Sequence, residues 1–315
     1  MIQSARASAP ASIGNIGVGY DVLGQAFDVA RDTILARRES ESGIRLGYVT
    51  GLVDRLPAAP DANTALAAAA AVLEAAEADF GVRIDIDKQI PISAGMGGSA
   101  ASAVAAAAAV NALLERPFET ADLLVFALAG ERVSADPPPW DNVMAALYGG
   151  LVIAARLEPA LIASLPAPAG ITAILLHPAA ETETSAARKV LAEKVLMKTA
   201  VEHARHISAF TLGCATGDRE LIRAGLDDVL VEPQRTFLLP ELPSIKAAAL
   251  NAGALGCSFS GSGPSVFAWA DDDTADAVEA AMASAFSAAG RMAKAYRAPL
   301  ASGGLRLETV PDSVR

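Results

Sequence analysis

The sequence predicts an α+β fold divided into two domains. The chain has 315 residues, which is long for one hydrophobic core, and 52% of them are hydrophobic, which is enough for substantial cores. Helical patterns are mixed with strand patterns, and some successive strands are joined by tight turns, which favours α+β over a doubly wound sheet. A proline-rich segment at 158–170 is the expected seam, so we expect an N-terminal domain at 1–156 and a C-terminal domain at 157–315.

In the N-terminal half, apolar and polar residues alternate at 82–90 as in a half-buried strand. The alanine-rich pattern before it predicts a helix that ends at Gly81, a residue suited to a helix C-cap. The predicted elements are strand and turn pieces at 11–36 with a glycine-rich loop at 14–21, strand and turn at 38–51, a helix at 63–81, a strand at 82–90, helices at 99–114 and 120–133, and a strand at 149–156.

The C-terminal half repeats this mixture, and no repeat of fixed period is present. Its predicted elements are a strand at 171–178, helices at 184–195, 197–217, 219–227 and 244–254, a strand, glycine-rich turn and strand at 257–270, and a helix at 274–290.

The composition argues against several classes of function. The net charge is −11 without long basic runs, so nucleic acid is not expected as the main partner, although local N–H groups and arginines can still bind a small anion. Cys214 and Cys257 lie far apart and fit neither a zinc site nor a disulfide framework. The N-terminus lacks the apolar core of a secretion signal, so we expect a cytoplasmic protein.

A membrane span has to be considered, because residues 89–114 carry no charge before Glu115. A span needs about 20 predominantly apolar residues. Here the first third consists largely of proline, serine and glycine, alanine is only weakly apolar, and no aromatic or basic belt flanks the stretch. We therefore expect no membrane partner.

The stretch PISAGMGGSAASAV, which begins at Pro91, follows the pattern of strand, glycine loop and helix. The free N–H groups and the dipole at a helix N-terminus favour a bound anion such as phosphate. Glycine is needed where the backbone approaches a ligand closely. Ser99 is expected at or near the N-cap, where its hydroxyl could cap the helix or reach a metal ion on the phosphate.

Three interpretations of this loop compete. It is not a Walker A loop, because no Gly-Lys-Ser/Thr follows. Gly95-x-Gly97-x-x-Ala100 matches a dinucleotide fingerprint weakly, since the acidic residue at the expected distance, Glu115, closes a helix instead of a second strand. The loop could also only pack. Two further glycine-rich segments, at 10–24 and 253–268, make that last interpretation less favourable.

The ordered set of motifs resembles the GHMP small-molecule kinases and, within that superfamily, is most similar to the homoserine kinases. The family's second motif, Pro-x-x-x-Gly-Leu-Gly-Ser-Ser-Ala-Ala-Ser, stands here as PISAGMGGSAAS from Pro91 to Ser102. The first motif keeps Asn15 and Asp21, and the third is SGSGPSVF at 260–267. The segments 130–151 and 227–240 resemble family blocks, so the resemblance covers roughly the whole chain.

The resemblance implies a two-domain GHMP kinase fold, with a ribosomal S5 domain 2-like N-terminal domain and a ferredoxin-like C-terminal domain. It implies ATP and Mg²⁺ as cofactors, with the metal ion held by Ser99 and Glu131 and with Asn63 near the adenine. The residues implied at the nucleotide are Asn63, Pro91, Gly95, Met96, Gly97, Gly98, Ser99, Ala100 and Ala101. Dimerisation is common in the family, so a homodimer is possible.

The resemblance also implies L-homoserine as the substrate, in a pocket that Gly261 and Gly263 close from the second domain. The residues implied around it are Asn15, Asp21, Asn142, Thr184, Arg188, Arg235 and Gly261. Their chemistry agrees, because the carboxylate of Asp21 suits an ammonium group and the arginines suit a carboxylate. Taken alone, a surface pair of arginines and an Asx turn at Asp21 explain the same residues.

The residues expected to act in catalysis are Asn142, Arg235 and Glu131. Asn142 stands where mevalonate-type relatives place an aspartate base, and an amide cannot take a proton at neutral pH, so we expect it to orient the hydroxyl. Asp141 is a weaker candidate base, because adjacent side chains seldom point the same way. The hypothesis is direct attack of the substrate hydroxyl on the γ-phosphate, since phosphoryl transfer needs mainly alignment and charge neutralisation.

Two departures from the family pattern affect these expectations. Gly98 replaces the first serine of the usual pair, and the segment ADPPPWDN at 135–142 replaces one where relatives often carry glycine and histidine. Three prolines and a tryptophan stiffen this segment, which could shift the substrate.

Other polar residues have ordinary interpretations. Lys88 could contact phosphate, but a solvated lysine at a strand end is the preferred interpretation. His203 and His206 lie three apart on a predicted helix without other ligands at suitable spacing, so we expect no metal site there.

Three rival functions remain open at this point. The first is another GHMP kinase with a different small alcohol as substrate. The second is a nicotinamide-dependent dehydrogenase, which predicts NAD(H) binding in place of ATP. The third is a sensor that binds ligand without turnover.

Overall fold

The computed structural model describes residues 2–179 and 184–309, with side chains for 2–179 and 187–308. In this part of the chain, two sheets carry the helices. The strands are β1 (Ser4–Gly14), β2 (Leu23–Glu39), β3 (Gly43–Gly51), β4 (Gly81–Lys88), β5 (Leu151–Arg156), β6 (Leu161–Leu165), β7 (Ile171–Pro178), β8 (Gly256–Phe259), β9 (Val266–Asp271), β10 (Ala293–Pro299) and β11 (Arg306–Thr309). The helices are α1 (Thr64–Ala75), α2 (Gly98–Asn111), α3 (Thr120–Glu131), α4 (Trp140–Tyr148), α5 (Thr184–Lys189), α6 (Met197–Thr216), α7 (Arg219–Gly225), α8 (Glu232–Arg235), α9 (Leu242–Asn251) and α10 (Ala275–Ala288).

The first sheet has seven strands in the order β11-β1-β2-β4-β3, and β5 and β6 extend it from β2. The β3–β4 pair is parallel, and the other pairs of this sheet are antiparallel. β1 and β2 lie at its centre, so the loop between them is held on both sides by paired strands.

Helix α2 is the central helix of the layer that covers this sheet. Every residue from Ala100 to Asn111 is buried, between α1, α3, α4 and the strands β1 and β2. Alanine side chains allow neighbouring backbones to approach closely, and α3 meets α1 in the same way: a Cβ on Gly130 would lie 2.5 Å from the carbonyl oxygen of Thr64. This packing fixes the direction in which the N-terminus of α2 points.

The second sheet has the antiparallel order β10-β7-β9-β8. Its strands β7, β8 and β9 are largely buried on both faces, whereas the edge strand β10 is mostly half-buried or exposed. Because side chains alternate along a strand, β7 sends Ile174 and Leu176 into a core with α9 and α10. The same strand sends Ala173 and Leu175 into the core of the first sheet. The apolar run in β7 is therefore explained by burial on both sides.

The two sheets are joined by more than the chain connection. The indole N–H of Trp269 in β9 donates to the side-chain oxygen of Gln25 in β2 at 2.9 Å, and both side chains are fully buried. Strands β6 and β11 also return to the first sheet from the C-terminal half. The division of the chain between residues 156 and 157 stays a prediction.

Several predicted helix ends were wrong. The helix expected at 63–81 ends at Ala75, because Glu77 takes a left-handed φ of +47° and the N–H of Ala78 bonds the carbonyl of Leu73 at 3.0 Å. Gly81 begins β4 instead of capping the helix. The helix expected at 184–195 ends at Lys189.

Some elements were not predicted at all. The expected seam at 158–170 contains β6, and the strands β10 and β11 and the helix α4 lacked a sequence-based prediction. β10 and β11 lie at sheet edges and pair with strands that are distant along the chain, whereas β6 and α4 are short, with five and nine residues. Among the described residues, no helix combines the length and apolar character needed to cross a membrane.

Candidate active site

A cavity of about 350 Å³ lies where the three glycine-rich segments of the sequence meet. The β1–β2 loop, the β4–α2 loop and the β8–β9 loop are joined by backbone hydrogen bonds. Gly261 N–H donates to the carbonyl of Gly14 at 3.1 Å, and Ser265 N–H donates to that of Ala94 at 3.3 Å. The fold therefore brings segments from both halves of the chain into one site.

The loop before α2 needs its glycines for steric reasons. Gly95 and Gly97 have φ values of +73° and +65°. A Cβ on Gly95 would lie 2.4 Å from the carbonyl oxygen of Ser260, and one on Gly97 would lie 1.9 Å from the hydroxyl of Ser12. Both positions thus combine a left-handed backbone with contacts that exclude a side chain.

The N-terminus of α2 is open to the cavity. Gly97 is its N-cap, and no side chain caps the helix, so the N–H groups of the first turn remain available to an anion. Pro91, Gly98 and Ser99 line the cavity. Met96 is buried and also lines it, whereas Ala100 and Ala101 are buried in α2 behind the cavity wall. α2 is followed by α3 and not by a strand, which does not fit a dinucleotide fingerprint.

Ser99 and Glu131 meet at the start of α2. The hydroxyl of Ser99 does not cap the helix but donates to the carboxylate oxygen Oε2 of Glu131 at 3.0 Å. Glu131 is 1% exposed, and no hydrogen-bond donor reaches its Oε1 among the described residues. Burial raises the pKa of Glu131 to about 7. An orphaned carboxylate oxygen beside a hydroxyl and an anion site fits a magnesium ion bound to phosphates.

Lys88 was predicted to be solvated, and this was wrong. Its side chain is buried under the loop, forms an ion pair with the fully buried Asp32 and donates to the carbonyl of Gly98 at 2.8 Å. Asp32 also accepts the N–H groups of Gln89 and Ile90, each at 3.0 Å. The pair therefore fixes both the end of β4 and the first turn of α2, because a buried charge requires this degree of pairing.

Asn63 lies on the cavity wall as the N-cap of α1. Its side-chain oxygen accepts the N–H groups of Ala65 and Leu66, and its amide donates to the carbonyl of Pro57 at 2.9 Å. These bonds make Asn63 a rigid part of the wall, next to the half-buried Leu56.

At the other end of the cavity, Asp21 and Arg188 form an ion pair with each other. Two guanidinium nitrogens of Arg188 donate to the two carboxylate oxygens of Asp21 at 2.7 and 2.8 Å. The backbone of Asp21 has a left-handed φ of +56° and is held by Asn15, whose side-chain oxygen accepts the Asp21 N–H at 3.2 Å. Two groups expected to contact opposite ends of an amino acid are thus paired with each other.

Arg235 lies deeper, at 2% exposure. Its Nε donates to the carbonyl of Ala187 at 3.0 Å, and its Nη1 donates to that of Gly261 at 3.2 Å. Its guanidinium and that of Arg188 both lie near the ring of Tyr20, at 5.2 and 5.5 Å from its centroid. Burial lowers the pKa of Arg235, and the nearby positive charge of Arg188 lowers it further.

Asn142 and Asp141 share the cavity, which corrects the expectation that they point apart. The amide Nδ2 of Asn142 donates to Asp141 Oδ1 at 3.1 Å, and Asp141 Oδ2 accepts the N–H of Asn15 at 2.8 Å. The hydroxyl of Ser12 donates to the oxygen of Asn142 at 2.9 Å. Burial, and then the nearby charge of Asp21, raise the pKa of Asp141 to about 7.

The proline segment supplies the start of α4. Pro139 is the residue before the helix and lines the cavity, and Trp140 packs half-buried against the main core. The first turn of α4 consequently places Asp141 and Asn142 at the cavity.

Most of the residues expected at the site do lie together in this cavity. Gly261 lines it, whereas Gly263 lies two residues further along the turn, near Phe259. The side chain of Thr184 lies outside the described residues, although α5 begins there. Sequence reasoning missed Ser12, Asp32 and Tyr20. Ser12 and Tyr20 lie inside the first glycine-rich segment, at 10–24, while Asp32 carries no local signal.

The other reactive residues lie elsewhere. His206 Nδ1 donates to the carbonyl of Asp227 at 2.6 Å, and the described residues contain no cluster of three or more metal-ligating side chains. Cys214 and Cys257 are buried free thiols.

Comparison with protein-family models agrees with this geometry. The model of the GHMP kinases N-terminal domain matches residues 63–150, and the GHMP kinases C-terminal model matches residues 209–288. Among curated proteins, a homoserine kinase of Xylella fastidiosa (strain 9a5c) is 42% identical over 96% of this chain and 94% of its own length. A homoserine kinase of Xanthomonas campestris pv. campestris (strain B100) is 40% identical over 97% and 94%.

Solved structures share the fold. A homoserine kinase from Cytophaga hutchinsonii superimposes with a TM-score of 0.91 at 36% identity and covers 98% of both chains. A mevalonate diphosphate decarboxylase from Staphylococcus aureus reaches a TM-score of 0.73 at 13% identity, with 98% of both chains covered, which shows a common fold alone.

Proposed function

This chain belongs to the GHMP kinases, and we propose that it transfers the γ-phosphoryl group of ATP to the side-chain hydroxyl of L-homoserine. It is a phosphotransferase of the homoserine kinase type, and O-phospho-L-homoserine is its product, a precursor for threonine synthesis. The observation that carries this proposal is one cavity with an uncapped helix N-terminus at one end and the charged groups Asp21, Arg188 and Arg235 at the other.

The nucleotide end is suited to the phosphates of ATP. The N–H groups of Gly98, Ser99 and Ala100 begin an uncapped helix, and Lys88 holds the carbonyl of Gly98 away from the anion. Ser99 and Glu131 would hold Mg²⁺, since Glu131 has a buried oxygen without a donor. When bound, the ion would neutralise charge on the phosphates. The apolar wall near Leu56 and Asn63 is where we place the adenine.

The substrate end is suited to an amino acid. In place of their mutual ion pair, Asp21 would bind the substrate ammonium and Arg188 the substrate carboxylate. Arg235, buried and held by two carbonyl groups, keeps a fixed positive charge beside them. An alcohol without charged groups would have to leave the Asp21–Arg188 pair intact, so it gains nothing from these residues.

The amide of Asn142 would orient the acceptor hydroxyl for attack on the γ-phosphorus. Asn142 cannot accept a proton at neutral pH, and both carboxylate oxygens of Asp141 already accept hydrogen bonds. We therefore attribute the acceleration of the phosphoryl transfer to alignment and charge neutralisation, without a dedicated base. We expect Asn142→Ala to lower kcat by about 100-fold. If Asn142→Ala kept full kcat while Asp141→Asn abolished it, Asp141 would be the base instead.

Substrate analogues that lack one charge test the proposal. 4-Hydroxybutyrate lacks the ammonium of homoserine, and 3-amino-1-propanol lacks its carboxylate. We expect each to lose at least about 100-fold in kcat/KM, because a charged partner in the site would remain unpaired. Phosphorylated products are measured by ³¹P NMR. Equal turnover of 4-hydroxybutyrate would contradict the role of Asp21 and move the substrate to another alcohol.

We propose further that the enzyme acts in the cytoplasm as a homodimer. Light scattering should give twice the mass of one chain, and a single-chain mass would contradict the dimer without affecting the site.

A further inference from the structure

Ser12 contacts both the phosphate-binding loop and the residue that faces the acceptor. It lies on β1 near the strand end and is fully buried, so it does not reach the cavity itself. Its backbone N–H donates to the carbonyl of Met96 at 3.0 Å. Its hydroxyl donates to the side-chain oxygen of Asn142 at 2.9 Å. A single residue thus links the loop before α2 to the first turn of α4.

The contact with the loop is close enough to constrain it. A Cβ on Gly97 would lie 1.9 Å from the hydroxyl oxygen of Ser12 and 3.0 Å from the side-chain oxygen of Asn142. The hydroxyl, the amide and the backbone of Gly97 therefore fill one volume with no room for a methyl group. Any rotation of the Asn142 amide changes what lies against the loop.

The amide of Asn142 is held at both ends. Its oxygen accepts from Ser12, and its nitrogen donates to Asp141 Oδ1 at 3.1 Å. Rotating an amide by 180° exchanges an acceptor for donors with little change of shape, so only its hydrogen bonds decide its orientation. With these two bonds made, one Nδ2 hydrogen remains for a ligand in the cavity.

We propose that Ser12 is a positioning residue for the phosphoryl transfer, which orients the amide of Asn142 so that an N–H, and not the oxygen, faces the acceptor hydroxyl. This inference rests on the proposed function, in which Asn142 aligns the acceptor. Ser12 acts through Asn142 and contacts neither substrate nor nucleotide. If the Ser12–Asn142 bond were purely structural, its loss would lower stability without changing how Asn142 acts in turnover.

A double-mutant cycle separates these two roles. We expect Ser12→Ala to lower kcat by about tenfold or more while the KM for ATP changes by less than about threefold. In the Asn142→Ala background the same change should alter kcat by less than about twofold, because its target is gone. Ser302→Ala serves as the matched control, since it also removes a buried serine hydroxyl, one that donates to the carbonyl of Pro299 at 2.9 Å.

A second readout does not depend on turnover. The side-chain amide signals of Asn142 in ¹⁵N-labelled protein are identified by their loss in Asn142→Ala. We expect Ser12→Ala to shift them and Ser302→Ala to leave them in place. The proposal is overturned if Ser12→Ala leaves the Asn142 amide signals unchanged. It is also overturned if Ser12→Ala lowers kcat by the same factor in the wild type and in the Asn142→Ala background. If the wild type does not phosphorylate L-homoserine, the proposed function fails, while the amide signals still decide the role of Ser12.

Discussion

The carboxylate of Glu131 is buried, and a buried negative charge is unfavourable unless a cation lies beside it. Its Oε2 accepts from Ser99 and from Ser134 at 3.0 and 3.2 Å, and its Oε1 has no donor among the described residues. Removing its charge should affect metal binding more than folding, because the two serines can still donate to a glutamine oxygen.

The first prediction concerns this side chain. Glu131→Gln should lower kcat/KM by at least about 100-fold and raise the Mg²⁺ concentration needed for half-maximal rate, because an amide binds Mg²⁺ more weakly than a carboxylate. Steady-state assays across a Mg²⁺ titration measure this. Glu115→Gln, at an exposed position, should behave as wild type. An unchanged Mg²⁺ requirement in Glu131→Gln would show that Glu131 does not bind the metal ion.

The second prediction concerns the pH dependence of stability. Burial raises the pKa of Asp141 from 3.8 to about 7, so the folded chain holds a proton there that the unfolded chain has released. Stability from this group is full below about pH 4 and is lost as the pH rises towards about 7. Between pH 5 and 8, the wild type should lose roughly 2–3 kcal/mol of unfolding free energy through this residue.

Asp141→Asn cannot titrate, so its unfolding free energy should fall less between these pH values. Urea unfolding at pH 5 and pH 8 provides the comparison. Glu131, whose pKa burial also raises, remains in both proteins. Identical pH slopes for wild type and Asp141→Asn would mean that Asp141 does not carry this proton.

At the scale of residues, much of the site follows from sequence motifs. Asp21, Ser99, Glu131 and Asn142 all lie at the cavity, as the motif order predicts. What the motifs do not express is pairing: the Asp21–Arg188 ion pair and the Lys88–Asp32 pair each join residues far apart in the chain. Pairings of this kind depend on the tertiary fold, and no local pattern encodes them.

At the scale of elements, the loop before α2 and the helix behind it act as one unit. Left-handed glycines shape the loop, and buried alanines hold the helix, so the N–H groups of its first turn face the cavity without a capping side chain. The chain places small residues where backbone segments and neighbouring helices approach one another.

The third prediction tests this unit. Gly97→Ala and Gly290→Ala both force a residue with a side chain into a left-handed φ, +65° and +74°, but a Cβ at 290 meets nothing within 4 Å. Gly290→Ala should therefore reduce the unfolding free energy by about 1 kcal/mol. Gly97→Ala should reduce it by at least about 2 kcal/mol more, because its Cβ would collide with Ser12, and should also abolish turnover.

Thermal or urea unfolding of both variants gives the comparison. Equal losses at the two positions would show that the contact of Gly97 with Ser12 is unimportant. Helix α2 was predicted from the alanine-rich run that follows the glycine loop, and β4 from its alternation of apolar and polar residues. Element ends were predicted less well, because a non-glycine residue, Glu77, takes the left-handed position after α1.

At the scale of the whole molecule, the two-sheet architecture creates the site. The α+β class and the two-part organisation were predicted from the mixture of patterns, and the GHMP kinase fold is confirmed by the family models and by the structure of a homoserine kinase. The return of β11 to pair with β1 could not be predicted, because it joins residues about the whole chain length apart. The Trp269–Gln25 bond joins the two sheets, and the hydroxyl of Ser260 in the β8–β9 loop donates to the carbonyl of Gly95 in the loop before α2 at 2.6 Å.

The fourth prediction, at this same scale, is the activity itself, and one measurement tests it most directly. ADP release from Mg-ATP is followed with L-homoserine, and with mevalonate, galactose, L-serine and L-threonine as comparators. The account predicts rapid turnover with L-homoserine and at least about 100-fold lower kcat/KM with each comparator. Turnover of mevalonate or galactose at the rate of L-homoserine would contradict it, because galactose carries no charge and mevalonate, although it has a carboxylate, lacks the ammonium that we propose Asp21 binds.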